Sequence, residues 1–184
     1  MTNPAQSLQV ETYHFADDGT VPNSKLPLVV YRGALPEDGD RAAFCEAMFA
    51  RNGWPDAWRN GIYPFHHYHS TAHEALGIAR GHASVRLGGD KGQTVELREG
   101  DVVVIPAGVA HKREAASADL LVIGSYPRGQ NPDMCRAEPE RHDRAAASIA
   151  AVPLPDADPV TGRAAPLLDC WSREPNQGSM QRPE

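Results

Sequence analysis

The chain has 184 residues, enough for one domain with a sizeable core and too few for two of ordinary size. Its 41% hydrophobic and 23% charged content exclude a disordered or fibrous chain, and a net charge of −6 leaves no basic stripe to neutralise phosphates, so nucleic acid is not an expected partner. No run approaches the ~20 apolar residues that cross a bilayer, the first residues lack the basic and apolar regions of a secretion signal, and three cysteines without CxxC spacing give neither a disulfide framework nor a zinc knuckle; a cytoplasmic protein with no membrane contact is expected.

Glycine and proline, 16 of each, mark many turns and favour β structure over long helices. The residues before 26 read as a frayed terminus, and 26–31 (LPLVVY) as the first strand. From 40 to 51 the apolar residues Ala43, Phe44, Ala47 and Met48 recur at helical spacing, with Asn52-Gly53 as a stop signal. Trp54 and Trp58 then read as packing residues whose indole N–H groups need partners. Between 61 and 126 the texture becomes short runs at 75–79, 83–87, 94–97, 101–105 and 120–126, separated by turn clusters at 87–92 and 106–108. These predict successive antiparallel strands, whose closure into a barrel or two-sheet roll would hide their edges. From 127 to 173, prolines at 132, 139, 153, 155, 159 and 166 argue against regular structure and predict an arm that wraps the roll or a neighbouring subunit. Leu154, Leu167, Leu168 and Trp171 are its expected anchors. Residues 174–184 read as a loose tail, and the whole of 1–184 as one domain.

The chemistry is concentrated at His67, His69 and Glu74. In extended chain, positions i and i+2 share a face, so His67 and His69 point together while Tyr68 points away. Glu74 follows the short bend Ser70–His73 and opens the next run, where antiparallel pairing returns it to the same interior. Two imidazoles and a carboxylate on one side of an ion form an open-faced site of the kind used in non-haem iron chemistry. A further histidine, His111, follows the Pro106-Ala107-Gly108 turn, which aims it inward.

Both segments resemble the two signature motifs of the cupin superfamily. Gly61, His67, His69, Glu74 and Gly81 fill every fixed position of the first, and Gly100, Pro106, Gly108 and His111 match the second. Ala115 stands where the family usually has asparagine, a position that does not bind metal. The run from Asn60 through the HYH motif, with DADPVTG and the later Pro-Leu, is similar to one subgroup, the YjlB-like cupins. The resemblance implies an all-β fold: a cupin jelly-roll β-barrel with one flanking α-helix and a proline-rich C-terminal arm. It also implies a divalent transition metal (Fe, Mn, Ni or Zn) held by His67, His69, Glu74 and His111, and a homodimer.

Four protein ligands on a six-coordinate ion leave two positions for a small-molecule substrate or ligand. The expected function is therefore a metal-dependent enzyme acting on a small organic molecule, with dioxygenase chemistry as first choice. The alternatives are an isomerase or lyase of a small carbonyl or sugar-like substrate, and a non-catalytic metal or metabolite binder. Tyr63, Tyr68 and Tyr126 are the loose candidates for an acid or base. His73 is placed to support the ligands, with Glu96 or Asp101 as possible acceptors of a ligand's ring N–H. His66 reads as structural or surface. Of the arginines in the segment, Arg80, Arg86 and Arg113, solvated surface is the expected place, an inward one being suited to a carboxylate.

Overall fold

The computed structural model describes residues 8–172, so the expected tail at 174–184 lies outside the described residues. Nine strands follow in chain order: β1 (Gln9–Phe15), β2 (Ser24–Arg32), β3 (Trp58–Asn60), β4 (Glu74–Arg80), β5 (His82–Leu87), β6 (Gln93–Arg98), β7 (Val102–Ile105), β8 (His111–Ala116) and β9 (Leu121–Ser125). They form a six-stranded sheet in the order β1-β2-β7-β4-β9-β3 and a three-stranded sheet in the order β6-β5-β8, paired antiparallel throughout. The expected all-β roll is present as these two facing sheets, whose hydrogen-bonded ladders do not close into a barrel.

Alternation explains how the layers are filled. Leu28, Val30, Leu76, Ile78, Val103 and Val122 of the larger sheet join Ala83, Val85 and Leu87 of the smaller one in the core between the sheets. The opposite face of the larger sheet, with Val29, Tyr31, Ala75, Val102, Val104 and Ile123, is covered by Cys45, Met48 and Phe49 of helix α1 (Arg41–Arg51). That helix forms where the spacing predicts it: Asp40 caps its start by accepting from the Ala43 N–H at 3.0 Å, and Asn52 ends it. Gly81, between β4 and β5, makes the corner by which the chain leaves one sheet for the other. It needs its φ of +75°, and a Cβ there would meet Ser117 Oγ at 2.2 Å.

Two expectations fail. Residues 9–15 are a strand and not a frayed terminus: β1 pairs with β2, contributing Tyr13 and Phe15 to the inner core and Val10 to the outer one. Its burial is only partial, so its sequence carries no long apolar run. The arm is also more regular than its prolines suggest, with a 3-10 turn at Pro139–Arg141, helix α2 (His142–Ala150) ahead of Pro153 and helix α3 (Leu167–Ser172) directly after Pro166. Proline costs little at the first position of a helical turn, where Pro139 sits. Of the four expected anchors, Leu167 and Trp171 are buried, Leu168 is half-buried and Leu154 is exposed. Trp171 donates to the Pro27 carbonyl at 2.8 Å, and the buried Asp158 accepts from the Tyr31 hydroxyl at 2.6 Å, tying the arm to β2. No described helix is long and apolar enough to cross a membrane.

Candidate metal centre

Each ligand-type side chain is placed by a different backbone device. The stretch at 67–69 is extended but belongs to neither sheet: His67 exchanges backbone hydrogen bonds with His111, and Tyr68 exchanges them with Cys135 on the other side. Neighbouring residues therefore face opposite ways, which buries Tyr68 against Val21, Ala110 and Ala145 while His67 and His69 face the space between the sheets. The His69 carbonyl accepts from the Gly108 N–H at 2.8 Å, locking the PAG turn against this stretch. Gly108 holds a φ of +96°, and a Cβ there would lie 2.2 Å from the Asn23 carbonyl oxygen. The turn delivers His111 as the first residue of β8, opposite Leu87. Glu74 opens β4 opposite Ile105, in the inward row that continues with Leu76 and Ile78.

The result is a convergence of acceptors. His67, His69 and His111, all buried, offer ring nitrogens that lie within 4.8 Å of one another, a group able to hold a metal ion. Glu74 Oε2 lies 3.1 Å from His111 Nε2 and 3.4 Å from His69 Nε2. Each histidine has its Nδ1 against a backbone carbonyl: His67 against Phe65 at 3.2 Å, His111 against Val109 at 3.2 Å, and His69 against Asp133. A carbonyl only accepts, so each ring carries its proton on Nδ1 and turns the lone pair of Nε2 inward. Three lone pairs and a carboxylate then face one point, and Glu74 Oε2, fully buried, has no hydrogen bond among the described residues. Such a set calls for positive charge within it, a proton on a ring nitrogen or an ion, and the three histidines fit a divalent ion with Glu74 beside two of them.

Without an ion, burial lowers the His69 affinity for a proton but the charge of Glu74 more than offsets it and raises the His69 pKa above its ordinary value. Burial would push the Glu74 carboxyl up, but the imidazoles of His69 and His111 more than offset it and hold it well below the usual carboxylate range. Burial, followed by the neighbouring His111, pushes His67 down to about 3, so it stays neutral and able to ligate.

Backbone carbonyls, and neither Glu96 nor Asp101, thus orient the ligands. Glu96 bonds Ser84 at the surface, and Asp101 pairs with Arg32 at 2.8 Å. His73 faces away from the site: its Nδ1 accepts from the Ala107 N–H at 2.9 Å and its Nε2 lies 3.2 Å from the Pro153 carbonyl, linking the PAG turn to the arm. His66, half-buried, lies 3.1 Å from the Asp90 carboxylate, away from the cavity lining.

The four ligand-type residues sit at the floor of a cavity of about 510 Å³ whose walls include Trp58, Ile62, Tyr63, Leu76, Arg113 and Tyr126. Of the three candidate tyrosines, Tyr68 is excluded by its direction and Tyr63 stands at the mouth, 49% exposed. Tyr126 packs edge-on against the His69 ring at 5.6 Å. Burial and then the charge of Glu74 raise its phenol above the ordinary value, against a weaker opposite pull from Trp58, so it keeps its proton at neutral pH. Trp58, expected only to pack, lies on Gly124 and walls the cavity. Asp133 was not legible as a site residue, because its contact with His69 is made by a main-chain oxygen. Its carboxylate secures the same loop, accepting from the Ser70 N–H at 2.6 Å and from the Ser70 hydroxyl.

A cupin domain model matches residues 60–124. The uncharacterized protein YjlB of Bacillus subtilis is 42% identical over 164 residues, covering 89% of this chain and 97% of its own length. Among solved structures, acireductone dioxygenase from Bacillus anthracis with a cadmium ion in its active centre is similar at 16% identity and a TM-score of 0.38, over 67% of this chain and 82% of that one. Procruciferin, an 11S globulin of Brassica napus, is similar at 15% identity and a TM-score of 0.36, over 61% of this chain and 22% of that one. Likenesses this loose say nothing of this chain's activity.

Proposed function

This chain belongs to the cupin family, as a relative of the YjlB-like proteins, and from that premise we propose that it is a metal-dependent enzyme acting on a small organic molecule. The observation that carries the reading is the convergence of three buried imidazoles, two of them beside the Glu74 carboxylate, in the lining of one cavity. His67, His69, Glu74 and His111 would hold the ion, drawn from iron, manganese, nickel or zinc by geometry and supply. When bound, such an ion supplies a Lewis acid with open positions for a chelating substrate or for O₂. The surrounding side chains do the rest: Trp58, Ile62 and Leu76 exclude water from the ligands, and Tyr126 keeps a proton beside them.

Dioxygenase chemistry is the first reading. Tyr126 favours a second, an isomerase or lyase, because a neutral phenol beside the ligand set is placed to donate to an oxygen that gains charge during enolisation. Family membership also supports a homodimer, to be checked by light scattering at twice the monomer mass. The decisive measurement is elemental analysis of protein purified without added metal, with about one equivalent of a divalent transition metal per chain expected. The triple variant with His67, His69 and His111 all changed to alanine should lose it; unchanged stoichiometry in that folded variant would falsify the site. Oxygen uptake with Fe(II) across diketones, thiols and catechols then tests the dioxygenase reading, which silence with every metal and substrate would overturn.

A further inference from the structure

Resting on that reading and naming its substrate class, we infer that the cavity binds a small organic acid carrying two separated groups, one that chelates the ion and a carboxylate that pairs with Arg113. The inference begins with the register of β8. His111 stands opposite Leu87 and Arg113 opposite Val85, and both of those partners point into the core between the sheets. Arg113 is therefore on the same face as His111, one two-residue strand step of ~7 Å further along, and its side chain lines the same cavity as the four ligand-type residues. The strand keeps this parity because the irregularity in its pairing falls beyond Arg113, where Ser84 is matched to Ala115.

The state of the guanidinium is the second observation. Arg113 is half-buried, yet no hydrogen bond or ion pair joins its side chain to any described residue; only its backbone N–H is engaged, with the Tyr63 carbonyl at 2.9 Å. Among the other described arginines of the sheets Arg98 also has no side-chain partner but is exposed and away from the cavity, and the rest are occupied. Arg32 pairs with Glu11 and Asp101, Arg80 donates to the Asp119 carbonyl, and Arg86 donates to the Asp90 carbonyl. Arg59, which also reaches the cavity, is held in a two-bonded pair with Glu46 at 2.6 and 2.8 Å. Leaving a partly buried guanidinium unpaired forfeits its strongest interaction, a bidentate bond to a planar oxyanion.

Charge gives the third. Among the described residues Glu74 is the only carboxylate lining the cavity, and it faces the histidines. With a dication beside it and Arg113 above, the cavity carries net positive charge, which selects an anionic occupant and disfavours a neutral sugar or an amine. A monoanion would satisfy the ion or the arginine; a ligand with a chelating end and a distal carboxylate satisfies both.

The test uses the full chain reconstituted with one equivalent of Co(II), whose visible spectrum reports ligand binding at the ion. Three matched pairs serve as probes, each keeping the chelating end and exchanging the distal carboxylate for a methyl group: malate and 2-hydroxybutyrate, 2-oxoglutarate and 2-oxovalerate, 2-oxoadipate and 2-oxohexanoate. In at least one pair the dianion should bind about tenfold or more tightly than its partner. R113M, which keeps an apolar stem, should abolish that preference and leave the monoanion's affinity unchanged. R113K should retain part of it, and carries the comparison should R113M not fold. Equal affinity within all three pairs, or a preference that survives in R113M, overturns the inference. Failure to retain Co(II), seen before any acid is added, instead brings down the metal reading on which it rests.

Discussion

Glu74 sits in a row of otherwise apolar residues facing the core, and burying an ionised carboxylate there is costly unless it is paired. The histidines that surround it are in turn fixed by main-chain carbonyls, so the precision of the site depends on loops. Asp133 is the clearest case, since one residue holds the His69 ring through its carbonyl and the neighbouring backbone through its carboxylate. Asp133→Ala removes the carboxylate bonds to Ser70 and leaves the N–H of that buried residue without its partner. We expect a loss of about 1–3 kcal/mol in stability and a weakening of metal affinity by roughly 10–100-fold, read by chemical denaturation and by competition with a chromophoric chelator. Unchanged affinity would mean that the Asp133 carbonyl holds His69 without help from its side chain.

At the scale of elements, the site is a seam between two sheets and the segments that strap them. β4 supplies Glu74 to it, β8 supplies His111, and β9 supplies the floor on which Trp58 lies. That last contact is close: a Cβ on Gly124 would stand 1.9 Å from the indole of Trp58, so no larger residue fits without moving the ring. Gly124→Ala should cost about 1–3 kcal/mol by overpacking and displace a cavity wall while the histidines keep their places. Metal stoichiometry should thus persist while ligand affinity falls and the tryptophan fluorescence shifts. Loss of the metal together with the fold would show instead that the β3–β9 pairing is required to assemble the centre.

The whole molecule couples folding to protonation through its buried histidines. His73 is pushed down to about 4 by burial, against an ordinary value near 6.5, and its neutral ring accepts from the PAG turn. Because the unfolded chain binds this proton more readily, the stabilisation is complete above pH 6.5 and is lost as the pH falls towards 4, an effect on the order of 3 kcal/mol. Metal-free wild type should therefore show stability that declines across this window, and His73→Gln, which does not titrate, should show a shallower decline and match wild type more closely near pH 4.5. Parallel pH curves for the two proteins would count against a neutral, buried His73. Bound metal adds a steeper term, since protons compete for the ligand nitrogens and an ion held only by the folded state stabilises it by mass action.

What the linear sequence determined was local or tied to fixed spacing. The two-residue step from His67 to His69, the PAG turn before His111 and the glycines at 81 and 108 each encode backbone geometry with few solutions, so the clustering of the three histidines and the two-sheet roll were readable from them. Helix α1 was readable for the same reason, through its periodicity and its Asn52-Gly53 stop, while its Asp40 cap showed only in the structure. Only the tertiary structure decided which polar groups face the ligands. The Phe65, Val109 and Asp133 carbonyls leave no trace in residue identity, because every residue has one. The half-buried strand β1 and the helices of the proline-rich arm owe their form to the sheet they cover, and Arg113 became distinguishable from Arg80 and Arg86 once strand register showed which side chain turns inward.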